Sequence, residues 1–383
     1  MYRNSVARAV CAACIGFTSL STIAADAAST EHAEELEMVV VTASPIGDPD
    51  KLATIAGSVD RAQLLRSGSA TLADSLSQVA GVTSSGFAAG AGRPVIRGMD
   101  ANRVRVLEDG IGSFDVSDVG PDHGVPIDPF TAERIEVVRG AATLRYGSQA
   151  IGGVVNAISQ RVPSRLPDAV FGAELVGGYN TGAEGRDFAG QANARAGRMA
   201  WHADAFTRHA GDYDTPEGEQ ANSWLRAKGG ALGGSWIGED DRLGLGVIRH
   251  ESKYGIPGED AYIDMHQTKL MLRSSFGLDA GAWRALTVDG GWADYAHSER
   301  DDTGAALSTF KDREWDARAE AVAGRWGALS ESALGVQFQQ RDFSALGEGQ
   351  EYLLPTTTKS QAVFGFAEAP LGETLRLQFG ARV

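Results

Sequence analysis

Downstream of Pro163, apolar and polar residues take turns along the chain at a spacing of two. Leu334, Val336 and Phe338 fall on one side of such a run, while Gln337, Gln339 and Arg341 fall on the other. Trp315, Ala317, Ala319, Ala321 and Ala323 oppose Asp316, Arg318 and Glu320. Near the end, Leu375, Leu377, Phe379 and Ala381 oppose Thr374, Arg376, Gln378 and Arg382. Period-two alternation predicts strands with unlike faces. Roughly ten or eleven such strands fit between residues 169 and 383, at ~9–11 residues per spanning strand plus turns. Polar stretches at 209–219, 252–261, 299–306 and 348–358 read as longer loops between them.

Upstream of Pro163 the pattern is different. Residues 58–67 read as a short helix. Residues 71–80 read as another, with Ser69 as N-cap and Leu72, Leu76 and Val79 on one face. A strand at 103–107 runs into a turn at Glu108-Asp109-Gly110. In 133–159, the β-branched Ile135, Val137 and Val138 predict a strand, broken at Arg139-Gly140. One helical turn follows over 141–146, ended by Gly147, and Gly152-Gly153 opens a second strand at 154–158. These elements describe a compact α+β unit. A phosphate-binding loop is excluded there, since no lysine lies between Glu133 and Ser159.

The first 27 residues read as a signal peptide. Arg3 and Arg8 precede a short apolar run, and small residues follow at cleavage spacing. That run is shorter than the ~20 residues of a spanning helix. Both cysteines, Cys11 and Cys14, lie within it, so the mature chain holds no disulfide or thiolate site. A lipoprotein reading of Cys14 is the alternative. Residues 28–50 read as a polar arm interrupted by Met38, Val39, Val40, Val41, Thr42 and Ala43. This burst is either a first edge strand or a segment that a partner captures as an added strand.

Two phrases carry a family resemblance. "IRGMDANRVRVLEDGI" (96–111) and "ERIEVVRGAATLRYGSQAIGGVVNAIS" (133–159) stand in order and at suitable spacing. Together they resemble the plug domain of TonB-dependent outer-membrane receptors. The resemblance implies an α+β plug domain at 51–162, followed at 168–383 by antiparallel strands of a transmembrane β-barrel. The barrel is incomplete, as expected of an N-terminal fragment of a 22-stranded receptor. It also implies that residues 38–43 are the TonB box, pulled by a TonB-type energy-transducing protein from the periplasm. The arginines before glycine, Arg97 and Arg139, would then pair with glutamates of the inner barrel wall; read by themselves, they are solvated strand-end charges.

Between the two phrases, residues 111–130 bring together Asp115, Asp118, Asp122, His123 and Asp128 with three prolines. A carboxylate beside an imidazole suits a divalent transition metal such as zinc. Pro121-Asp122-His123 resembles the loop of the zinc-uptake branch, which makes Asp122 and His123 candidate metal ligands. An acidic turn with a surface histidine reads equally well, because zinc takes three or four ligands. The segment Tyr254-Gly255-Ile256-Pro257-Gly258 resembles the same branch. His202, His209, His250, His266 and His297 are possible further ligands, each isolated in the sequence.

All seven tryptophans lie between Trp201 and Trp326, as an interfacial girdle requires. The apolar strand faces are therefore expected to meet lipid, and the polar faces to line a hydrated lumen. The formal charge of −15 argues against nucleic acid and favours cations. No G-x-S-x-G or H-E-x-x-H occurs, so no enzyme is expected. The expected protein is a monomeric outer-membrane importer of a metal ion or metal complex, with Zn2+ as substrate and no required cofactor. A ferric-siderophore or haem receptor, or a truncated receptor that does not transport, are the alternatives.

Overall fold

The structure is a computed structural model describing residues 55–372 and 375–383. The expected signal peptide (1–27), the arm (28–50) and the 38–43 segment lie outside the described residues.

Seven strands fall between residues 55 and 158: β1 (Ile55–Asp60), β2 (Val82–Ser84), β3 (Pro94–Ile96), β4 (Val104–Glu108), β5 (Ile111–Gly112), β6 (Arg134–Val138) and β7 (Gly153–Ile158). Five form one sheet in the order β1-β6-β7-β4-β5, and β2 pairs with β3. All residues of β7 are buried, which fits its nearly continuous apolar sequence and its central place. Its one polar side chain, Asn156, accepts a hydrogen bond from the Gly110 N–H at 3.0 Å.

The two expected helices are corrected. Ser58 and Val59 belong to β1 and pair with Glu136 and Ile135, so the helix α1 spans only Arg61–Ser67. Asp60 caps it by accepting from the Gln63 N–H at 2.8 Å, while the Gln63 side chain accepts from the Asp60 N–H at 2.9 Å. In 71–80 only a 3-10 turn forms, at Asp74–Leu76. Thr71 Oγ1 accepts from the Asp74 N–H at 3.1 Å and donates to its carboxylate at 2.7 Å, drawing the backbone away from an α-helix. Ser69 bonds to the Ser67 hydroxyl and caps nothing there. Leu72, Leu76 and Val79 still share one buried cluster, so the apolar pattern fixed burial and not the helix type.

Eleven strands, from β8 (Phe171–Asn180) to β20 (Leu375–Arg382), form a second sheet in which neighbours run antiparallel. The wall strands used below are β10 (Met199–Ala210), β13 (Leu225–Ile237), β14 (Arg242–Gly255), β15 (Ala261–Ala280), β16 (Trp283–Asp301), β17 (Ala306–Ala323) and β18 (Glu331–Gly347). A separate hairpin, β11 (Tyr213–Thr215) and β12 (Gly218–Gln220), lies in the connection from β10 to β13. The sheet does not close on itself; β8 and β20 are its edges. The expected alternation holds: Leu334 and Phe338 are 54% and 46% exposed, whereas Gln337 between them is 3% exposed. The longest strand, β15, reaches 20 residues.

The first unit seats against the polar face of the wall. Val138, Tyr146 and Val154 pack with Val322, Ala333 and Phe366. Val116 packs with Tyr254, Tyr295 and Phe310, and Phe114 and Val162 with Ile248 and Met271. Gly233 shows how close the approach is, because a Cβ there would run into the carbonyl oxygen of Arg161.

Candidate metal centre between plug and wall

The loop after β5 has no regular structure, and side chains fix its shape. The Arg93 guanidinium donates to the carbonyls of Ser117 at 2.6 Å and Gly120 at 3.1 Å. Asp115 Oδ1 accepts from the Ser117 N–H at 2.8 Å. From β14, the Tyr254 hydroxyl donates to the Asp122 carbonyl at 2.7 Å and accepts from the Gly124 N–H at 2.8 Å. Asp128 caps the turn at Pro129–Thr131 and is gripped by Arg208 of β10 at 3.0 Å. These contacts leave the loop little freedom, so His123 is held in one place.

His123 is 3% exposed and its Nδ1 lies 2.9 Å from the Val116 carbonyl. A carbonyl can only accept, so Nδ1 carries the proton in the neutral ring and Nε2 keeps its lone pair. That nitrogen faces Glu299 Oε1 and Asp122 Oδ2, each at 3.6 Å. Burial by itself would lower the His123 pKa, but Glu299, Asp122 and the Val116 carbonyl outweigh it and hold the group above the usual histidine range. Across from it on β16 stands His297, with ring centroids 4.3 Å apart. Phe310 of β17 stacks on His297 at 4.8 Å and tilts against His123 at 4.9 Å, restraining both rings.

His297 Nδ1 lies 3.0 Å from the Tyr295 hydroxyl, and its Nε2 is buried without a hydrogen-bond partner. An orphaned imidazole nitrogen beside a second imidazole and a carboxylate fits a metal ligand set. The candidate ligand atoms of His123, His297 and Glu299 all lie within 4.8 Å of one another. Around a tetrahedral zinc with bonds of ~2.0–2.1 Å they would stand about 3.3 Å apart, so a bound ion draws them in by about 1.5 Å at most. Tyr295 then supports His297 as the Val116 carbonyl supports His123.

The two candidates from the sequence therefore differ in place. His123 is at the centre of the cluster, and Asp122 stands beside it, partly exposed. In the sequence His297 is one of several isolated histidines, and Glu299 opens a polar stretch expected to be a loop. The signal was present in His297-Ser298-Glu299, because residues two apart on a strand share a face. The other wall histidines do not join: His202 bonds to Asn193 and Asp204, His250 packs on Phe206, and His209 and His266 are exposed.

Arg97 and Arg139 do not make the expected pairs with the wall among the described residues. Arg97 is exposed, and Arg139 donates to the Ala80 carbonyl at 2.9 Å. Both border Gly81. Other residues bind plug to wall. Arg145 Nε donates to Glu320 at 2.9 Å, and Arg161 reaches both Asp204 at 2.9 Å and Glu108 at 2.8 Å. Lys269 also contacts Glu108, at 3.2 Å. These pairs are buried, so loss of one partner strands a charge away from water.

Residues 49–154 match the family described as "TonB-dependent Receptor Plug Domain". The curated hemin receptor of Yersinia pestis is 36% identical over 145 residues, which cover 36% of this chain and 21% of that protein. Among solved structures, the copper transporter OprC superposes with a TM-score of 0.71 at 17% identity, over 85% of this chain and 54% of that one. The Serratia marcescens hemophore receptor HasR, solved with its hemophore HasA and heme, gives a TM-score of 0.71 at 17% identity, over 85% and 51%. The chain thus spans little more than half the length of these solved structures. Residues 49–154 are thus similar to the plug domain of TonB-dependent receptors, and the structure has a fold similar to the plug and barrel of these solved structures. The particular relatives named are receptors and transporters, and not enzymes.

Proposed function

We propose that this chain forms the plug and part of the wall of a TonB-dependent importer that captures a divalent transition-metal ion, zinc before others, between His123, His297 and Glu299. The observation that supports it is the buried, unpartnered His297 Nε2 facing a second imidazole and a carboxylate. Two nitrogens and one oxygen are borderline ligands that suit zinc, with Asp122 or water as a fourth. Copper(II) would bind such a set at least as tightly, so preference for zinc rests on availability and geometry.

The ligands come from two bodies. His123 belongs to the plug, and His297 and Glu299 to the wall. A displacement of the plug separates them and releases the ion, which gives transport a physical step. The pull is assigned to a TonB-type protein acting on residues 38–43, after export directed by residues 1–27. Metal binding favours the seated plug by the affinity it has for that state alone.

A haem or ferric-siderophore substrate is the second reading, favoured by the printed names of the relatives. Burial opposes it here: His123 and His297 are 3% and 1% exposed, leaving no face for a macrocycle. Metal-limited growth with radiolabelled zinc uptake tests the proposal, comparing the unaltered protein with His123→Ala and His297→Ala. Uptake is expected to collapse in both variants. Undiminished zinc uptake, or growth on haem lost instead, would sink the zinc assignment.

A further inference from the structure

The face of the wall turned away from the plug changes character between two rungs of its ladder. Ala203, Leu232, Val247, Leu270, Trp292 and Trp315 are cross-strand partners in one row from β10 to β17. Two residues further along each strand, the row holds Arg249, Thr268, Asp294 and Arg313, and the row beyond it Lys228, Glu251 and His266. Hydrocarbon-compatible side chains thus give way to charged ones in a single step. Trp292 and Trp315 stand at that step, where amphipathic rings favour a lipid–water boundary.

A furrow crosses the step. On its apolar side a hollow of about 1080 Å³ is lined by Trp201, Leu232, Leu245 and Leu270. On its charged side a hollow of about 630 Å³ is lined by Arg226, Lys228, Arg249 and Lys253. A third, of about 590 Å³, joins them, sharing Leu232 and Val247 with the first and Lys228 and Arg249 with the second. Its floor is low because the facing residues Ala205 and Gly230 are small.

The charged end is not neutralised. Glu251 is shared by Lys228 at 3.2 Å and Arg249 at 3.0 Å, and Asp264 by Lys253 at 2.9 Å and Arg300 at 3.3 Å. Two carboxylates therefore serve the four outward cations of this hollow. Arg226 is exposed and makes no ion pair among the described residues; its guanidinium lies 5.5 Å from the centre of the Trp224 ring. It stands directly opposite Lys253 on β14. Like charges facing each other across a strand pair are destabilising, and an anion set between them turns the repulsion into attraction.

We infer that this furrow seats a phosphate-bearing membrane lipid, its headgroup against Arg226 and Lys253 and its acyl chains along Leu232, Leu245 and Val247. The inference rests on the outer-membrane importer reading above, since only a wall facing lipid offers the furrow to one. The guanidinium fork of Arg226 suits phosphate oxygens, and Lys228 and Lys253 add point charges beside it. The apolar hollow accepts any acyl chain, so the selection is made by the headgroup.

Native mass spectrometry of the purified chain in dodecyl maltoside, titrated with anionic phosphatidylglycerol or zwitterionic phosphatidylcholine, tests this. Phosphatidylglycerol should be retained about thirtyfold more tightly, the attraction of two uncompensated cations. Arg226→Gln, which breaks no ion pair, should lower that preference to about fivefold. Lys311→Gln removes an exposed cation on β17 outside the hollow and should leave the preference unchanged. Equal retention of the two lipids, or the same preference in Arg226→Gln as in the unaltered chain, overturns the proposal. Displacement of the lipid by inorganic phosphate also overturns it, by marking a site for a free anion. Zinc binding by the same samples keeps the two readings apart. An Arg226-dependent preference in a chain that binds no zinc upholds the lipid site and removes only the metal-import reading.

Discussion

The imidazole of His123, on a plug loop, lies 4.3 Å from that of His297, on a wall strand, measured between ring centroids. Neither element alone offers more than two of the three clustered ligands. Any ion bound there ties the two bodies together, and several consequences can be measured.

Zinc should raise the thermal stability of the seated plug. At a free concentration a hundred times the dissociation constant, the gain is about 2.7 kcal/mol. Hydrogen exchange of the loop amides around His123 should slow by a matching factor. In His297→Ala this protection should vanish, although that substitution lies outside the plug. Protection that survives the change would place the ion elsewhere.

Loss of Glu299 should resemble loss of a ligand and not of a surface charge. Glu299→Gln is expected to weaken zinc binding by more than the ~10–100-fold typical of a supporting partner. Tyr295→Phe, which removes only the group beside His297 Nδ1, should fall within that lower range. Equal effects of the two substitutions would contradict the assigned roles.

Glu108 and Asp109 should respond to pH in opposite directions. Burial raises the Glu108 pKa, but Lys269 and Arg161 more than reverse this and hold it below its ordinary value of 4.5. Its contribution to stability is present above that ordinary value and is lost as pH falls through the lowered folded value. Burial dominates for Asp109 and raises its pKa above 3.8, despite Arg273 and Ser159. That group stabilises the fold at low pH and loses the contribution as pH rises through its folded value. Glu108→Gln should therefore cost about 3–5 kcal/mol near neutral pH by stranding Arg161 and Lys269. Asp109→Asn should cost less under the same conditions, as denaturation at several pH values would reveal.

Gly233 is expected to tolerate no side chain. Alanine there would push the Arg161 carbonyl off the wall and loosen the bidentate contact to Asp204. A loss of about 1–3 kcal/mol, typical of overpacking, should appear with faster proteolysis of the plug. Gly281→Ala, at a turn with a positive φ and no neighbour within reach, serves as the comparison, since strain there is local. Equal proteolysis of the two variants would remove close approach as the reason for Gly233.

The sequence by itself determined the two kinds of architecture and the faces of the wall. Alternation at a period of two is a local property, and it sorts the side chains onto two unlike faces once the strands pair. Leu72, Leu76 and Val79 likewise announced burial, though local hydrogen bonding by Thr71 decided the backbone form. The loop with Asp122 and His123 was visible because its residue types are chemically distinctive. Its completion was not, because His297 and Glu299 lie more than 170 residues away and meet His123 only through the seating of plug on wall. For the same reason the pairs that Arg145 and Arg161 make with wall carboxylates among the described residues were not legible: which arginine finds a carboxylate depends on which face of the plug the strands cover.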